Sequence, residues 1–197
     1  MHLAPAHLHT NPAAPRRRSL RCLRALAVVC LIPLIAAAQS GPSEYDVKAA
    51  YLFNFGKFVK WPSTAKQPGR TFDICVLGQD HFGGTLDKVT AGETINGQPV
   101  SVKRLSSPAD GSSCQIVFID RSEEKRLTSL LPAFDRAGVL TVSDMPGFSE
   151  HGGMIQFQLS GDRVRFEVNL GAAEHAGLSL SSDLLKVATK IRRAGAS

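Results

Sequence analysis

Histidine, cysteine, tryptophan and methionine are all scarce in this chain: 6 His, 4 Cys, 1 Trp and 3 Met in 197 residues. No H-E-x-x-H, C-x-x-C or close Cys/His cluster occurs, so neither a zinc site of familiar spacing nor a dithiol redox centre is encoded. There is no G-x-S-x-G nucleophile elbow. The loop Gly78 to Gly84 follows apolar sequence but has neither G-x-G-x-x-G spacing nor a Lys-Ser/Thr pair, which argues against a nucleotide cradle. Acidic residues are missing altogether from the first 38 positions. No apolar run reaches the roughly 20 residues of a spanning helix.

The formal charge of +6 comes mostly from that acid-free start. Setting aside Arg16, Arg17, Arg18, Arg21 and Arg24 leaves 18 basic against 17 acidic residues, so the rest is nearly neutral. This excludes an extended nucleic-acid footprint, and Lys57, Lys60 and Lys66 make only a modest basic patch. The arginines precede an apolar run, Ala25 to Ile35, interrupted by Pro33 and followed by Ala36-Ala37-Ala38. Such a sequence reads as a secretory signal over residues 1–38, cut before Gln39, and it leads to the periplasm; Arg17-Arg18 fits a twin-arginine pattern only loosely. Residues 39–197 are then one domain, long enough to bury a core without a metal or dense cross-linking. Cys22 and Cys30 leave with the leader. The remaining two, Cys75 and Cys114, read as a disulfide in an oxidising compartment, with buried free thiols as the alternative.

Periodicity supplies the elements. Ser43 with Asp46 three residues on forms a capping-box signature, and the helix it opens runs to about Val59, where Trp61-Pro62 ends it. Val47, Tyr51, Leu52, Phe55, Phe58 and Val59 cover a broad inward arc of this helix, while Asp46, Lys57 and Lys60 mark the outward side. Phe53 falls among those polar residues. Strands are expected over 71–78, 100–105, 114–119 and 138–142, with helices capped by Asp80 and Asp120 between them. Two alternating runs, 155–160 and 163–168, flank Ser160-Gly161-Asp162 as an antiparallel hairpin. A final helix is expected from Ser181 or Ser182 to Arg193, with Leu184, Leu185, Ala188 and Ile191 inward. The fold class is therefore α/β: three layers around a mixed, Rossmann-like sheet, its first strands parallel, closed by an antiparallel hairpin.

No combination of residues specifies catalysis. His81, His151 and His175 stand apart, and Asp73, Asp80, Asp144 and Glu150 read as caps and solubilising groups rather than as an acid pair. What stands out is aromatic crowding: Tyr51, Phe53, Phe55, Phe58 and Trp61 fall within eleven residues of a chain that is 7% aromatic. Aromatic anchors carry protein interfaces, so Phe53, with Lys57 and Lys60 beside it, is the candidate partner-binding surface; packing of Phe53 beneath the loop Ser63 to Arg70, or in a homodimer, is the plain alternative.

Tyr45 to Pro62 resembles the opening segment of the YfiR family, as do Ile74-Cys75-Val76-Leu77-Gly78, Cys114 to Ile119 and Gly152-Gly153-Met154-Ile155. Arg163 to Asn169, Ala172-Ala173 and Leu184-Leu185 continue the resemblance in order, over residues 44 to 192. It implies a small periplasmic α/β protein without enzymatic activity or cofactor. Such a protein would bind the periplasmic domain of an inner-membrane diguanylate cyclase and lower cyclic-di-GMP output; it would also be able to form a homodimer. It implies too that Cys75 and Cys114 pair, whereas the second cysteine pair of some members is missing around Phe148 to His151. A small-molecule carrier or sensor on the same scaffold is the competing reading, and an unrecognised hydrolase is the third.

Overall fold

The computed structural model describes residues 41–62, 71–135 and 138–193. The expected leader and the loop after Pro62 lie outside the described residues.

Helix α1 (Glu44–Phe58) opens on the capping box: Ser43 Oγ accepts from Asp46 N at 3.2 Å, and Asp46 Oδ2 accepts from Ser43 N at 2.8 Å. These bonds hold the Asp46 carboxyl below its usual range. A two-residue strand, β1 (Val59–Lys60), continues straight from the helix. Then follow β2 (Phe72–Leu77), α2 (Gly84–Thr90), β3 (Thr94–Ile95), β4 (Gln98–Leu105), β5 (Ile116–Ile119), α3 (Leu127–Leu130) and β6 (Leu140–Ser143). The chain closes with β7 (Ile155–Ser160), β8 (Arg163–Asn169), α4 (Leu170–His175), β9 (Ser179–Leu180), α5 (Ser182–Val187) and β10 (Lys190–Arg192).

Among the described residues, eight strands form one sheet in the order β10-β8-β7-β6-β5-β2-β4-β3. The pairs β4–β2, β2–β5, β5–β6 and β6–β7 are parallel, β7–β8 is the expected antiparallel hairpin, and β8–β10 is parallel again. The architecture is thus mixed α/β. Every residue of β2, β5 and β6 is buried, as a parallel sheet covered on both faces requires. In β2, Ile74 and Val76 enter one core with α1, Phe118 and Phe166; Cys75 and Leu77 enter a second core with Leu130, Phe134 and Phe148. Gly56 lets α1 approach closely: a methyl group there would meet the Ile95 side chain and stand 3.2 Å from the Phe72 ring.

Cys75 and Cys114 are joined, with Cα atoms 6.2 Å apart, within the ordinary range for the bond. The link fastens the middle of β2 to the residue leading into β5.

Three expectations are corrected. Phe53 is buried at 8% exposure, inside the core. It lies at the edge of the arc that α1 turns inward through Lys48, Ala49, Leu52, Phe55 and Gly56, and the Lys57 ammonium covers its ring at 4.0 Å. The apolar girth of α1 is wider than the sheet can cover, and the flank left over is the opposite one, where Phe58 is 42% exposed. The helix after Asp120 is broken into a 3-10 turn (Arg121–Arg126), α3 and a second 3-10 turn (Leu131–Ala133) that contains Pro132. The last helix ends at Val187. Thr189 N and Oγ1 both donate to Phe166 O at 2.9 Å, and the chain continues as strand β10 beside β8, leaving Ile191 40% exposed.

Candidate functional site

The uncovered flank of α1 forms one wall of a groove; α5 forms the other. Its floor is aromatic. Phe55 and Phe166 meet edge to face at 5.2 Å, and Tyr51 and Phe157 complete a quartet with centroids 5.2–5.9 Å apart. Tyr51 and Phe58 rise from α1, and Leu184 and Val187 from α5, around a cavity of about 390 Å³ with Asn54 and Asp183 at the rim. Two connections set the spacing of the walls. Val59 and Lys60 pair antiparallel with Leu180 and Ser179, and Ser181 N donates to Phe58 O at 2.9 Å. Ser181 also caps α5, accepting from Leu184 N. Phe58 and Val187, 42% and 59% exposed, are large apolar groups that the fold leaves in water at the mouth of the groove.

Elsewhere the polar residues singled out in the sequence are held apart. Asp73 accepts from Lys103 at 2.6 Å, Asp80 from Arg104 at 2.9 Å, and Glu150 from Arg192 at 2.5 Å. His81 lies 3.6 Å from Asp120, and His151 Nδ1 lies 2.7 Å from Gly147 O. Among the described residues no three metal-binding side chains converge. Phe82, in the glycine loop, packs edge to face on Phe118 at 4.9 Å and plugs α2 against the sheet.

A feature that the sequence did not disclose lies at the C-terminal ends of β5 and β6. Lys48, in the second turn of α1, is 1% exposed; it donates to Asp144 Oδ2 at 2.5 Å and pairs with Glu44. Arg121 donates to Asp144 Oδ1 at 3.2 Å and to its backbone oxygen at 2.9 Å, and Tyr45 OH donates to Oδ2 at 3.3 Å. Burial alone would raise the Asp144 pKa, but Lys48 and Arg121 outweigh it and hold the carboxyl below its usual range. Burial first, and then the Asp144 charge, push the Tyr45 phenol well above its ordinary value. The cluster is self-neutralising, with Lys48 and Asp144 buried and Arg121 and Glu44 partly in water, which suits fastening α1 to the sheet better than chemistry. A second network has the same character: Ser149 Oγ donates to buried Glu167, Arg192 Nε donates to Ser149 Oγ at 3.0 Å, and Asn169 Nδ2 donates to Ser149 O at 2.9 Å.

A family model described as YfiR/HmsC-like matches residues 45–189, which take in nearly all of α1, seven of the eight strands of the sheet (all but β10), and α5. The chain belongs to the YfiR/HmsC-like family. Among solved structures, a conserved domain protein from Vibrio cholerae O1 biovar El Tor shares the fold with a TM-score of 0.53 at 11% identity, over 76% of this chain. The ABC domain in complex with L-Trp from Streptococcus pneumonia is similar at a TM-score of 0.47 and 11% identity over 73%. This chain spans 60% of the length of each of the two.

In this YfiR/HmsC-like chain the three residues chosen from sequence are not one surface. Phe53 is interior. Lys57 and Lys60 are exposed, but Lys57 leans on the Phe53 ring. The groove residues Tyr51 and Phe58 belong to the same aromatic crowd, on the flank assigned inward. The exposed Val187 was the available signal, since it interrupts the inward pattern of α5.

Proposed function

We propose that this YfiR/HmsC-like protein is exported to the periplasm, where residues 39–197 act as a single binding domain after removal of residues 1–38. There it binds the periplasmic sensor domain of an inner-membrane diguanylate cyclase and restrains it, lowering cyclic-di-GMP output. Family membership supports the partner class. The parallel strands β4, β2, β5, β6 and β7 stand in the chain order second, first, third, fourth, fifth, which supports a doubly wound, Rossmann-like scaffold of the flavodoxin type. The observation that carries the reading of the surface is the aromatic groove between α1 and α5 with exposed Phe58 and Val187 at its mouth. Lys57 and Lys60, exposed near the end of α1, add positive charge that would steer an acidic partner. The test is capture of solubilised inner-membrane proteins by the exported chain, with the cyclase identified by mass spectrometry. Phe58→Ala with Val187→Ser is expected to cut capture at least tenfold, about 1.4 kcal/mol, with an unchanged circular dichroism spectrum. Undiminished capture by that variant refutes the groove, and capture of no cyclase refutes the function.

A groove of about 390 Å³, apolar with two polar groups at its rim, also falls within the size range of small-molecule sites, which favours a ligand sensor as the second reading. Native mass spectrometry of the exported protein separates the two: a stoichiometric small ligand lost in the Phe58→Ala, Val187→Ser variant supports the sensor.

A further inference from the structure

Strand β8 sends alternate side chains to the two faces of the sheet. Val164, Phe166 and Val168 enter the core shared with α1, so Arg163, Arg165 and Glu167 stand on the opposite face. The register of β10, with Lys190 beside Glu167 and Arg192 beside Asn169, puts Lys190 and Arg192 on that same face. Arg192 Nε accordingly lies 3.7 Å from Glu167. Asn169 N donates to Met154 O, and the β7–β8 and β8–β10 registers then turn the backbone of Lys190 and Arg192 toward β8. This margin of the sheet offers side chains to a partner, not a ladder.

Those side chains are mostly cations. Arg163, Arg165, Lys190 and Arg193 are exposed, and among the described residues none of the four side chains meets an acid. Of the acids nearby, Glu167 and Glu150 are engaged by Ser149 and Arg192, which leaves Asp162 in the hairpin turn. At two residues per step and across one strand spacing, Arg163, Arg165, Lys190 and Arg192 make a strip roughly 20 Å long. At its far end a polar cavity of about 750 Å³ opens beside Lys190, Arg192 and Arg193, and Ile191, 40% exposed, stands at the same rim. The α1–α5 groove lies on the other face and shares no lining residue with this cavity.

We propose that this basic margin docks on an anionic phospholipid bilayer, with its cations on the headgroup phosphates and Ile191 in the interface. Guanidinium forks match phosphate oxygens in pairs. Cations dispersed along a strip, rather than gathered round one point, fit a surface that presents phosphates everywhere. An acidic protein segment would need carboxylates at matching intervals and gives the exposed Ile191 no role. The attraction is between exposed charges, so it weakens with salt. The opposite face, with the groove, stays open to a protein partner in the same membrane. The inference goes beyond the proposed function and does not depend on it.

The full exported chain is sedimented with vesicles of phosphatidylcholine alone, and of phosphatidylcholine and phosphatidylglycerol in equal parts. Expected is binding at least tenfold tighter to the anionic vesicles, lost progressively as salt is raised. Arg163→Glu with Lys190→Glu should weaken it at least tenfold with an unchanged circular dichroism spectrum, and Ile191→Ser should weaken it severalfold. The Phe58→Ala, Val187→Ser variant should bind as the parent does. Glycerophosphoglycerol, the headgroup without its acyl chains, should displace nothing at equal phosphate concentration. Absence of a preference for the anionic vesicles overturns the proposal, as does undiminished binding by either the Arg163→Glu, Lys190→Glu variant or Ile191→Ser. Displacement by glycerophosphoglycerol makes the ligand a soluble phosphate ester, and loss in the groove variant puts the contact on the other face. Polyglutamate binding as tightly as the vesicles makes the partner an acidic protein; each of these results also overturns it. No cyclase is present in the assay, so failure here leaves the proposed function standing, and the reverse holds as well.

Discussion

Replacing Lys48 with methionine tests whether a buried ion cluster fastens α1 to the sheet. Methionine keeps the length and apolar stem of the side chain and removes the charge. In the parent, Lys48 and Asp144 are both buried and 2.5 Å apart, and Glu44 also pairs with the ammonium. Breaking a buried pair by removing one partner costs about 3–5 kcal/mol, because the other charge stays desolvated. Here Asp144 keeps Arg121 and the Tyr45 hydroxyl. Arg121 is more than half exposed, so its help is screened and the expected loss is about 2–4 kcal/mol. For a domain of this size that is roughly 5–15 °C in Tm. The measurement is urea denaturation of both proteins at pH 7, with equal m-values confirming a common unfolded state. The pH dependence gives a second reading. In the parent the depressed Asp144 pKa contributes stability that is present above the unfolded value of about 3.9 and lost as pH falls through the folded value. Without Lys48 the folded pKa rises, so the penalty is full at neutral pH and is relieved as protonation neutralises Asp144. The gap between variant and parent should narrow from pH 7 to pH 4. Adding Asp144→Asn to Lys48→Met should recover part of the loss at pH 7. A deficit below about 1 kcal/mol, or one constant across that pH range, would refute the reasoning.

The remaining predictions concern the core and its cross-link. Cys75→Ala should lose on the order of 3–4 kcal/mol by the chain-entropy relation for a separation of 39 residues, and Cys75→Ala with Cys114→Ala should lose little more, by calorimetry without reductant. Phe53→Ala should cost about 3–5 kcal/mol as a core truncation, while Phe58→Ala should stay within about 1 kcal/mol of the parent; equal effects in chemical denaturation would contradict the burial of the two rings. Gly56→Ala improves helix propensity by up to about 1 kcal/mol, yet it should destabilise, because the added methyl meets Ile95 and Phe72; a raised Tm would show that β3 yields freely.

Local signals were read well where the physics is local. The capping box at Ser43, the all-apolar run of β5 and the alternation of β7 and β8 each depend on neighbours within a few residues, and they formed as their patterns indicate. Lys48 was illegible because its partner Asp144 lies 96 residues away, and an isolated lysine in a helix reads as solvated. Phe53 and Phe58 were exchanged for a related reason. The apolar arc of α1 is so broad that its period fixes the width of the buried face but not its centre, which the sheet and α5 determine. The C-terminal segment failed differently: Leu184, Leu185, Ala188 and Ile191 keep helical spacing, but an unmet sheet edge at β8 and the bonds of Thr189 to Phe166 O outcompete another helical turn. The candidate groove needed all three of these, so only its aromatic content was legible beforehand.

The Cys75–Cys114 link also has a consequence for the order in which the sheet is assembled. Between the two cysteines lie all of β4 and the hairpin strand β3, and β5 begins two residues after the second. Once a nascent chain has emerged as far as residue 119, the block β3-β4-β2-β5 holds everything it needs to close and be locked covalently. Beyond it, outward from β5, the strands follow in the sequence β6, β7, β8, β10, the order of their synthesis. Each newly emerged strand therefore meets the growing rim at the position it will keep, with no earlier pairing to undo. Thiol trapping of exported chains truncated just past β5 should find the pair already oxidised, while the last-laid strand, β10, remains at the margin.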